Sequence, residues 1–220
     1  MKYLSILCIL ITFSMSQGKA LAIVIKAKGK ATVTRNGEDK KVRRGTRLYS
    51  EDLIKTNKKS YVAMRFLDDK TLVRVRQNSI MKLQGERVGN TIAKNMFLEA
   101  GNIFASVTKQ KVKFRVTTPT SVASVKGTKF VMGYNSSTGQ AETLTYEGLV
   151  EVTIKGKKVE LPANTKLVAQ KDGTFTKEKF DPSVTEAFET YFDAKKGDEI
   201  EIEYKDSDGN IKTLKVNIKE

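Results

Sequence analysis

The sequence TTPTSVASVKGTKFVM, residues 117–132, decides the fold that we expect for this chain. Pro119 fixes its own φ and restricts Thr118 to extended geometry, so the stretch begins as strand or loop rather than as helix. A strand of small residues follows. Gly127 then permits the positive φ or the close backbone approach that a bulge or corner requires, just before the apolar run 130–132. The stretch therefore predicts β-structure.

Alternation extends this interpretation to most of the chain. From residue 23 to residue 218, apolar residues recur mainly at every second position, as in 61–67 (YVAMRFL), and Asn36-Gly37 is typical of a two-residue hairpin turn. Short strands separated by polar turns predict an all-β sandwich, barrel or solenoid. A weak echo of LEAG (98–101) in YEG (146–148) suggests an internal repeat, which would suit a solenoid.

A different pattern begins near Lys179. The sequence SVTE at 183–186 reads as a capping box, and an apolar stripe at helical spacing follows it. The stripe consists of Val184, Phe188, Tyr191 and Phe192. We expect it to pack on the protein's own β-structure, with a partner-binding face as the alternative. Two alternating strands around the turn DSDGN (206–210) should complete a helix–hairpin appendage.

The first 22 residues have the three parts of a secretory signal peptide. Lys2 gives the positive start, residues 3–15 are apolar, and Ala20-Leu21-Ala22 fits an A-x-A cleavage site. The apolar run is shorter than the roughly 20 residues that a spanning helix needs. We therefore predict a signal peptide over 1–22, with an uncleaved anchor as the alternative, and a periplasmic or secreted protein without a transmembrane segment after cleavage. The remaining boundaries that we predict are 23–178 for a β-domain and 179–220 for the appendage.

The composition excludes several kinds of catalysis. The chain has no His, and its one Cys, Cys8, lies in the predicted signal peptide. A mature protein would thus have no imidazole base, no thiolate, no disulfide and no His or Cys ligand for zinc. Two S-x-x-K motifs, at 79–82 and 106–109, lie in alternating stretches where residues three apart point to opposite faces. We expect no enzymatic activity, no cofactor and no metal site.

The formal net charge of +15 becomes +13 once Lys2 and Lys19 are removed with the signal peptide. Export makes nucleic acid an improbable partner, so the anions to consider are those of the cell envelope. Arginines on a predicted hairpin suggest one specific anion- or partner-binding stripe, because guanidinium groups match carboxylate and phosphate geometry. The predicted stripe consists of Arg65, Arg74 and Arg76, continued by Lys82. The alternative is a solvated basic face without a dedicated ligand.

Several short motifs, taken in order, resemble the FecR domain, a bacterial periplasmic signalling module. The positions that carry this resemblance are Gly45, Asp52, Thr56, Asp69, Asn78, Ser79, Gly101, Pro119, Gly127, Thr128, Phe130, Glu147 and Gly148. The similarity runs from about residue 27 to residue 166. Glu51 and Lys70 depart from the family pattern, which usually has Gly at both places.

The resemblance implies a FecR-like β-solenoid or sandwich that acts in protein interaction or envelope signalling, with an envelope protein as partner. Members of the family commonly carry a cytoplasmic anti-sigma segment before a transmembrane helix. Here only Met1-Lys2 precede the apolar run, so we expect the exported module alone. The alternative function is the binding of an anionic envelope polymer, such as polysaccharide, wall polymer or lipid phosphate, through the basic surface. The sequence leaves the oligomeric state open.

Overall fold

The alternating sequence forms strands throughout the computed structural model, which describes residues 18–109, 112, 114–181, 199–205 and 211–217. The strands in this part of the chain are β1 (Ala22–Lys28), β2 (Ala31–Arg35), β3 (Glu38–Lys41), β4 (Arg47–Leu48), β5 (Leu53–Thr56), β6 (Tyr61–Phe66), β7 (Leu72–Val75), β8 (Ser79–Val88), β9 (Thr91–Ser106), β10 (Phe114–Thr117), β11 (Val122–Val125), β12 (Lys129–Asn135), β13 (Gln140–Glu147), β14 (Leu149–Ile154), β15 (Lys157–Pro162), β16 (Thr165–Ala169), β17 (Phe175–Lys179), β18 (Glu199–Lys205) and β19 (Ile211–Asn217). The predicted all-β class is confirmed.

The first seventeen strands form two sheets that share the long strand β9. The front sheet has the order β4-β1-β6-β7-β9-β12-β13-β16-β17. The back sheet has the order β3-β2-β5-β8-β9-β10-β11-β14-β15. Neighbouring strands are antiparallel except for β9 and β10, which run parallel.

The two sheets pack face to face, and one hydrophobic core fills the space between them. Phe114 of the back sheet contacts two rings of the front sheet edge-on, with centroid distances of 6.3 Å to Phe66 and 6.1 Å to Phe130. All three rings are buried, together with inward-facing aliphatic side chains of both sheets. Of the predicted alternatives, this layered packing is that of a sandwich.

The chain changes sheets at residues with positive φ. Hairpins such as β6–β7 and β12–β13 stay within one sheet, whereas nine of the crossings between the sheets turn at left-handed positions. These positions are Gly29, Gly45, Glu51, Lys59, Asn78, Gly101, Gly127, Gly148 and Asn164. The predicted glycine corner of the deciding stretch is one of them, because Gly127 (φ 102°) lies between β11 of the back sheet and β12 of the front sheet.

The predicted turns and hairpins can be compared with the structure where it describes them. Asn36 (φ 52°) and Gly37 (φ 81°) form the turn between β2 and β3, as predicted. The strands of the C-terminal hairpin, β18 and β19, pair antiparallel. The predicted helix, with its capping box at 183–186 and its apolar stripe, and the turn at 206–210 lie outside the described residues. In the part of the chain that the structure describes, no helix has the length and hydrophobicity needed to cross a bilayer.

The predicted end of the signal peptide falls inside the first strand. Leu21 and Ala22 are buried, at 3% and 0% exposure. The Leu21 amide donates to the Leu48 carbonyl (2.8 Å), and the Leu21 carbonyl accepts from the Leu67 amide (3.0 Å). Residues 21 and 22 thus belong to the folded domain.

Candidate interaction surface

The motif positions of the first half lie where the chain crosses between the sheets. The Thr56 hydroxyl, at the end of β5, donates to the Arg76 carbonyl and accepts from the Ser79 amide (3.0 Å). The Ser79 hydroxyl in turn accepts from the Asn102 amide (3.0 Å). Thr56 and Ser79 are both buried. These two hydroxyl groups therefore form hydrogen bonds with backbone groups of two neighbouring corners, one around Asn78 and one around Gly101.

The glycine positions allow close packing of the same corners. Gly101 (φ 86°) lies so close to β8 that an added Cβ would be 2.6 Å from the Ser79 Cα. At the corresponding crossing in the second half, a Cβ on Gly148 would be 2.8 Å from the Gly127 carbonyl oxygen. Thr128 closes that corner, because its hydroxyl donates to the Leu149 carbonyl (3.1 Å). The echo of LEAG in YEG thus corresponds to two similar corners.

Asp52 stabilises the crossing from β4 to β5 through a buried ion pair. Its carboxylate, with a side chain that is 0% exposed, accepts two hydrogen bonds of 2.6 Å from Arg35 and one of 2.8 Å from the Tyr49 amide. The Arg35 guanidinium also lies 4.2 Å from the centroid of the Tyr49 ring. The hydrogen bond to Asp52 is the main reason why the pKa of Arg35 is raised, so the guanidinium of Arg35 stays charged.

Asp69 belongs to a buried charge cluster that the sequence analysis missed. Lys94 Nζ lies 2.8 Å from Asp68 Oδ2 and 3.0 Å from Asp69 Oδ2. It also lies 5.1 Å from the centroid of Phe66, while Asp69 Oδ1 accepts from the Thr71 amide (2.7 Å). The signal for Lys94 was its place in an alternating run with inward-facing apolar residues of β9.

The remaining motif positions also have structural roles. The Gly45 amide donates to the Val24 carbonyl (2.8 Å), and Asn78 (φ 52°) turns the chain from β7 into β8. Pro119 lies in the turn between β10 and β11, Phe130 is in the core, and Glu147 pairs with Lys129 (3.0 Å). The motif therefore specifies the architecture, and a binding site has to be sought on the surface.

The predicted basic stripe is only partly assembled. Arg65 is exposed on the front sheet, and Arg74, one strand away, is half-buried on the same outward face. Arg76 follows β7, its amide bonded to the Asn102 carbonyl (3.0 Å). Lys82 does not continue the stripe, because β8 lies in the back sheet, where Lys82 pairs with Glu51 at 3.7 Å. The chain changes sheets at Asn78. The alternation that puts Arg74 on the outward face of the front sheet therefore does not predict which face Lys82 lies on.

Comparison with known proteins places these observations in a family. Residues 52–151 match the family model described as FecR protein. The chain contains a FecR domain. No curated protein matches the sequence.

Two crystal structures of a protein described as a "putative anti-sigma factor" from Parabacteroides distasonis resemble this chain, with TM-scores of 0.54 and 0.52. Each shares 19% sequence identity with it over 63% of this chain and 64% of the other, so less than two thirds of the other chain is spanned. At this identity the likeness shows that the fold is shared.

The S-x-x-K motifs do not form a nucleophilic site in the FecR domain. Ser79 is buried and its hydroxyl accepts from Asn102, whereas Lys82 faces outward toward Glu51. The Ser106 side chain lies at the end of β9, and Lys109 follows outside the strand. Among the described residues, no group of three or more acidic, His or Cys side chains could hold a metal ion.

The front sheet of the FecR domain carries an apolar cluster on its outward face. Phe104, Val131, Leu144 and Tyr146 form this outer apolar band, and Phe180 packs against it, with 5.4 Å between the Tyr146 and Phe180 ring centroids. Phe104, Val131 and Tyr146 are only 5–8% exposed although they point away from the core. Burial raises the pKa of the Tyr146 hydroxyl above its ordinary value.

A polar depression of about 460 Å³ adjoins the outer apolar band. The residues that line it include Asn102, Gly133, Glu142 and Lys166. Lys166 pairs with Glu142 at 2.9 Å and with Glu178 at 3.6 Å. Burial works to lower the pKa of Lys166, but the hydrogen bonds and charges of the two glutamates raise it overall. The outward face of the front sheet is thus apolar in its centre and charged at its side.

A strong positive charge lies at one end of the sandwich. Residues 23–60 contain 12 lysines and arginines against 4 acids, a formal charge of +8. Backbone hydrogen bonds bring the loops of this region together: Asn57 N donates to Lys30 O (3.0 Å) and Val42 N to Ala31 O (3.0 Å). We call the exposed side chains of these loops the basic end; they are Lys30, Arg43, Arg44, Lys58 and Lys59. Sequence reasoning missed the basic end because its residues come from separate loops.

Proposed function

We propose that this protein is an exported, non-enzymatic FecR module that binds a partner protein of the bacterial envelope and thereby takes part in signalling. The observation that carries the proposal is the use of the family motif. Every motif position with a described contact lies at a corner, in a turn or in the core. The motif therefore maintains the scaffold, and the residues that decide which partner is bound should lie on its surface. The anti-sigma activity named for the similar crystal structures is not part of this proposal, because the likeness extends to the fold.

The edge strands do not favour binding by strand addition. β3 (sequence EDKK) and β17 (sequence FTKEK) are exposed along their whole length and rich in charge. Lys177 of β17 donates from Nζ to the Glu160 carbonyl (2.7 Å) and so crosses the open end of the sandwich. Charged and inward-pointing edge residues of this kind prevent pairing with another strand. We therefore place the partner contact on the loops and sheet faces rather than on the edges.

Site-specific photo-crosslinking in intact cells tests the proposal. A photoreactive residue is placed at Arg65 on the front sheet or at Arg44 in the basic end. Lys171, in the β16–β17 turn at the opposite edge of the front sheet, serves as the control position. We expect one envelope protein to be captured from Arg65 or Arg44 and not from Lys171. Equal capture at all three positions, or retention of the protein in the cytoplasm, would contradict the proposal.

The basic end supports a second candidate, the binding of an anionic envelope polymer. A surface with this much positive charge attracts polyanions without requiring a particular geometry, and salt screens the attraction. Charge reversal of Arg43 and Arg44 to Glu should then abolish binding to isolated envelope polymer, while reversal of Lys157 and Lys171 leaves it unchanged. Binding that persists in the Arg43/Arg44 variant, or that is insensitive to salt, would exclude this function.

A further inference from the structure

Lys94 is held against carboxyl groups at a site that excludes water. Its Nζ lies 2.8 Å from Asp68 Oδ2 and 3.0 Å from Asp69 Oδ2, and the lysine side chain is 0% exposed. The centroid of the Phe66 ring is 5.1 Å from the same nitrogen. Since a C–O bond is about 1.2 Å long, Nζ lies within about 4 Å of the Asp68 carboxyl carbon. Groups held this close and away from water react far faster than the same groups in solution.

The Asp68 carboxylate is only half satisfied in this ion pair. Its Oδ2 accepts hydrogen bonds from Lys94 Nζ and from the Ile92 amide (2.7 Å). Its Oδ1 is buried and has no hydrogen-bond partner among the residues that the structure describes. A buried acceptor without a donor costs free energy, and the cost is greater when the acceptor belongs to a charged group. A chemical change that removes Asp68 Oδ1 would therefore stabilise the folded chain.

We propose that Lys94 and Asp68 join in an intramolecular isopeptide bond, with Asp69 as the catalytic residue that carries protons between them. Proton transfer within the ion pair gives a neutral amine and a neutral carboxylic acid. Lys94 Nζ then attacks Cγ of Asp68, and Asp69 Oδ2 accepts a proton from the nitrogen and passes it to the departing oxygen. The Nζ–Cγ bond forms, the Cγ–Oδ1 bond breaks, and one water leaves, both of its hydrogens coming from the ammonium group. The reaction needs no oxidant or reductant, and each chain undergoes it once.

The amide product satisfies the groups that the ion pair leaves unsatisfied. Asp68 Oδ2 remains as the amide oxygen and can still accept from the Ile92 amide, whereas the unpartnered Oδ1 departs as water. The one hydrogen that stays on Lys94 Nζ is within reach of Asp69 Oδ2. Two buried charges disappear, and with them the cost of keeping those charges out of water. The surroundings of the pair therefore suit the amide better than the separate ions.

The two aspartates differ in a way that assigns their roles. The side chain of Asp68 is 2% exposed and that of Asp69 is 15% exposed. Because burial penalises charge, the deeper Asp68 gains more by becoming neutral. Asp69 is fixed from the other side, since its Oδ1 accepts from the Thr71 amide (2.7 Å) while its Oδ2 contacts Lys94. Asp68 is therefore the acceptor of the new bond, and Asp69 is the base beside it.

The bond would join the two sheets at one end of the sandwich. Asp68 lies in the turn between β6 and β7 of the front sheet, and Lys94 lies in the part of β9 that pairs with β8 in the back sheet. The two residues are 26 positions apart, so the bond closes a loop and restricts the unfolded chain as a disulfide does. The only cysteine, Cys8, lies in the predicted signal peptide. An amide crosslink would thus supply the covalent constraint that disulfides provide in many exported proteins.

Mass spectrometry of the intact full chain, before and after refolding from urea, tests the proposal. We expect refolding to lower the mass by one water, about 18 Da, and peptide mapping to find Lys94 joined to Asp68. The pair of Lys166 and Glu142 is the matched control, because its contact of 2.9 Å is similar but its side chains are 30% and 41% exposed. Lys166 should therefore remain unmodified. A refolded protein of unchanged mass, or equal modification of both lysines, would overturn the proposal.

Three variants test the roles of the individual groups. Lys94→Arg keeps the cation but removes the amine, so its mass should not change on refolding. Asp68→Asn should lose ammonia instead of water and reach the same final mass as the natural protein, because both form the same amide. Asp69→Asn cannot accept the proton and should react about a hundredfold more slowly.

Two results for these variants would contradict the assignment. Loss of water that persists in Lys94→Arg would identify a cyclic imide at an aspartate and overturn the isopeptide bond. An unchanged rate in Asp69→Asn would overturn its catalytic role. Because none of these measurements involves a partner, either result leaves the proposed signalling function standing.

Discussion

Lys94 and Asp68 form an ion pair with 2.8 Å between Nζ and Oδ2, in which the lysine side chain is 0% exposed and the aspartate side chain 2%. Replacing Lys94 by Met would leave two carboxylates in this site without their cation. We expect the free energy of unfolding in urea to fall by about 3–5 kcal/mol, the cost of breaking a buried pair. Lys40→Met is the matched control, because Lys40 pairs with Glu38 on the surface and such pairs contribute about 0–1 kcal/mol. Similar losses in the two variants would contradict the structural role of Lys94.

Gly101→Ala tests the close packing of the corner at Ser79. The left-handed φ alone costs an alanine about 1 kcal/mol, and the overlap of Cβ with Ser79 should add at least as much again. Gly37→Ala separates the two effects, because Gly37 has a similar φ of 81° and no atom within 4 Å of an added Cβ. We expect Gly101→Ala to lower the melting temperature by at least twice as much as Gly37→Ala. Equal shifts would show that the corner can relax around a methyl group.

The sequence predicts a signal peptide, and the burial of Leu21 and Ala22 adds an expectation of where that peptide would be cleaved. Cleavage after Ala22 would remove two buried side chains and the backbone hydrogen bonds of Leu21 with Leu48 and Leu67. Cleavage after Ala20, with the small residue Gly18 at the −3 position, retains them. N-terminal sequencing of the exported protein should therefore give Leu21 as the first residue. A mature chain that begins at Ile23 would contradict this prediction.

The raised pKa of Tyr146 predicts a loss of stability at alkaline pH. The neutral phenol is favoured in the folded state, so its contribution is fully present below the ordinary tyrosine pKa of about 10 and is lost as pH rises beyond it. The free energy of unfolding should therefore decline less steeply above about pH 10 in Tyr146→Phe than in the natural protein. Tyr61→Phe, at a half-buried tyrosine, is the control. Parallel declines in Tyr146→Phe and the natural protein would show that the Tyr146 hydroxyl is not responsible.

The sequence predicted local features well because each depends on a few adjacent residues. Alternation identified the strands, Asn36-Gly37 identified a hairpin turn, and the motif containing Gly127 identified a corner. Lys82 shows where this reasoning fails. Alternation tells which residues share a face within one strand, but the positive φ at Asn78 moves the chain into the other sheet, and the face assignment does not survive that change.

Long-range contacts were beyond the sequence for a related reason. The partners Lys94 and Asp68 are 26 residues apart, and the loops of the basic end are joined by hydrogen bonds between residues far apart in the sequence, such as that from Asn57 N to Lys30 O. In the sequence, the cluster around Lys94 is marked only by a charged residue at an inward-facing position. The basic end is marked only by charged residues in exposed loops. The outer apolar band likewise combines single residues from β9, β12 and β13, none of which stands out in its own strand.

Because β9 belongs to both sheets, the two sheets should not unfold independently. Residues 91–100 pair with β8 in the back sheet, and residues 101–106 pair with β12 in the front sheet. Covalent continuity through Gly101 means that detaching β9 from one sheet removes the central strand of the other as well. The sandwich should therefore melt in a single cooperative transition, without a half-molten intermediate in which one sheet survives alone.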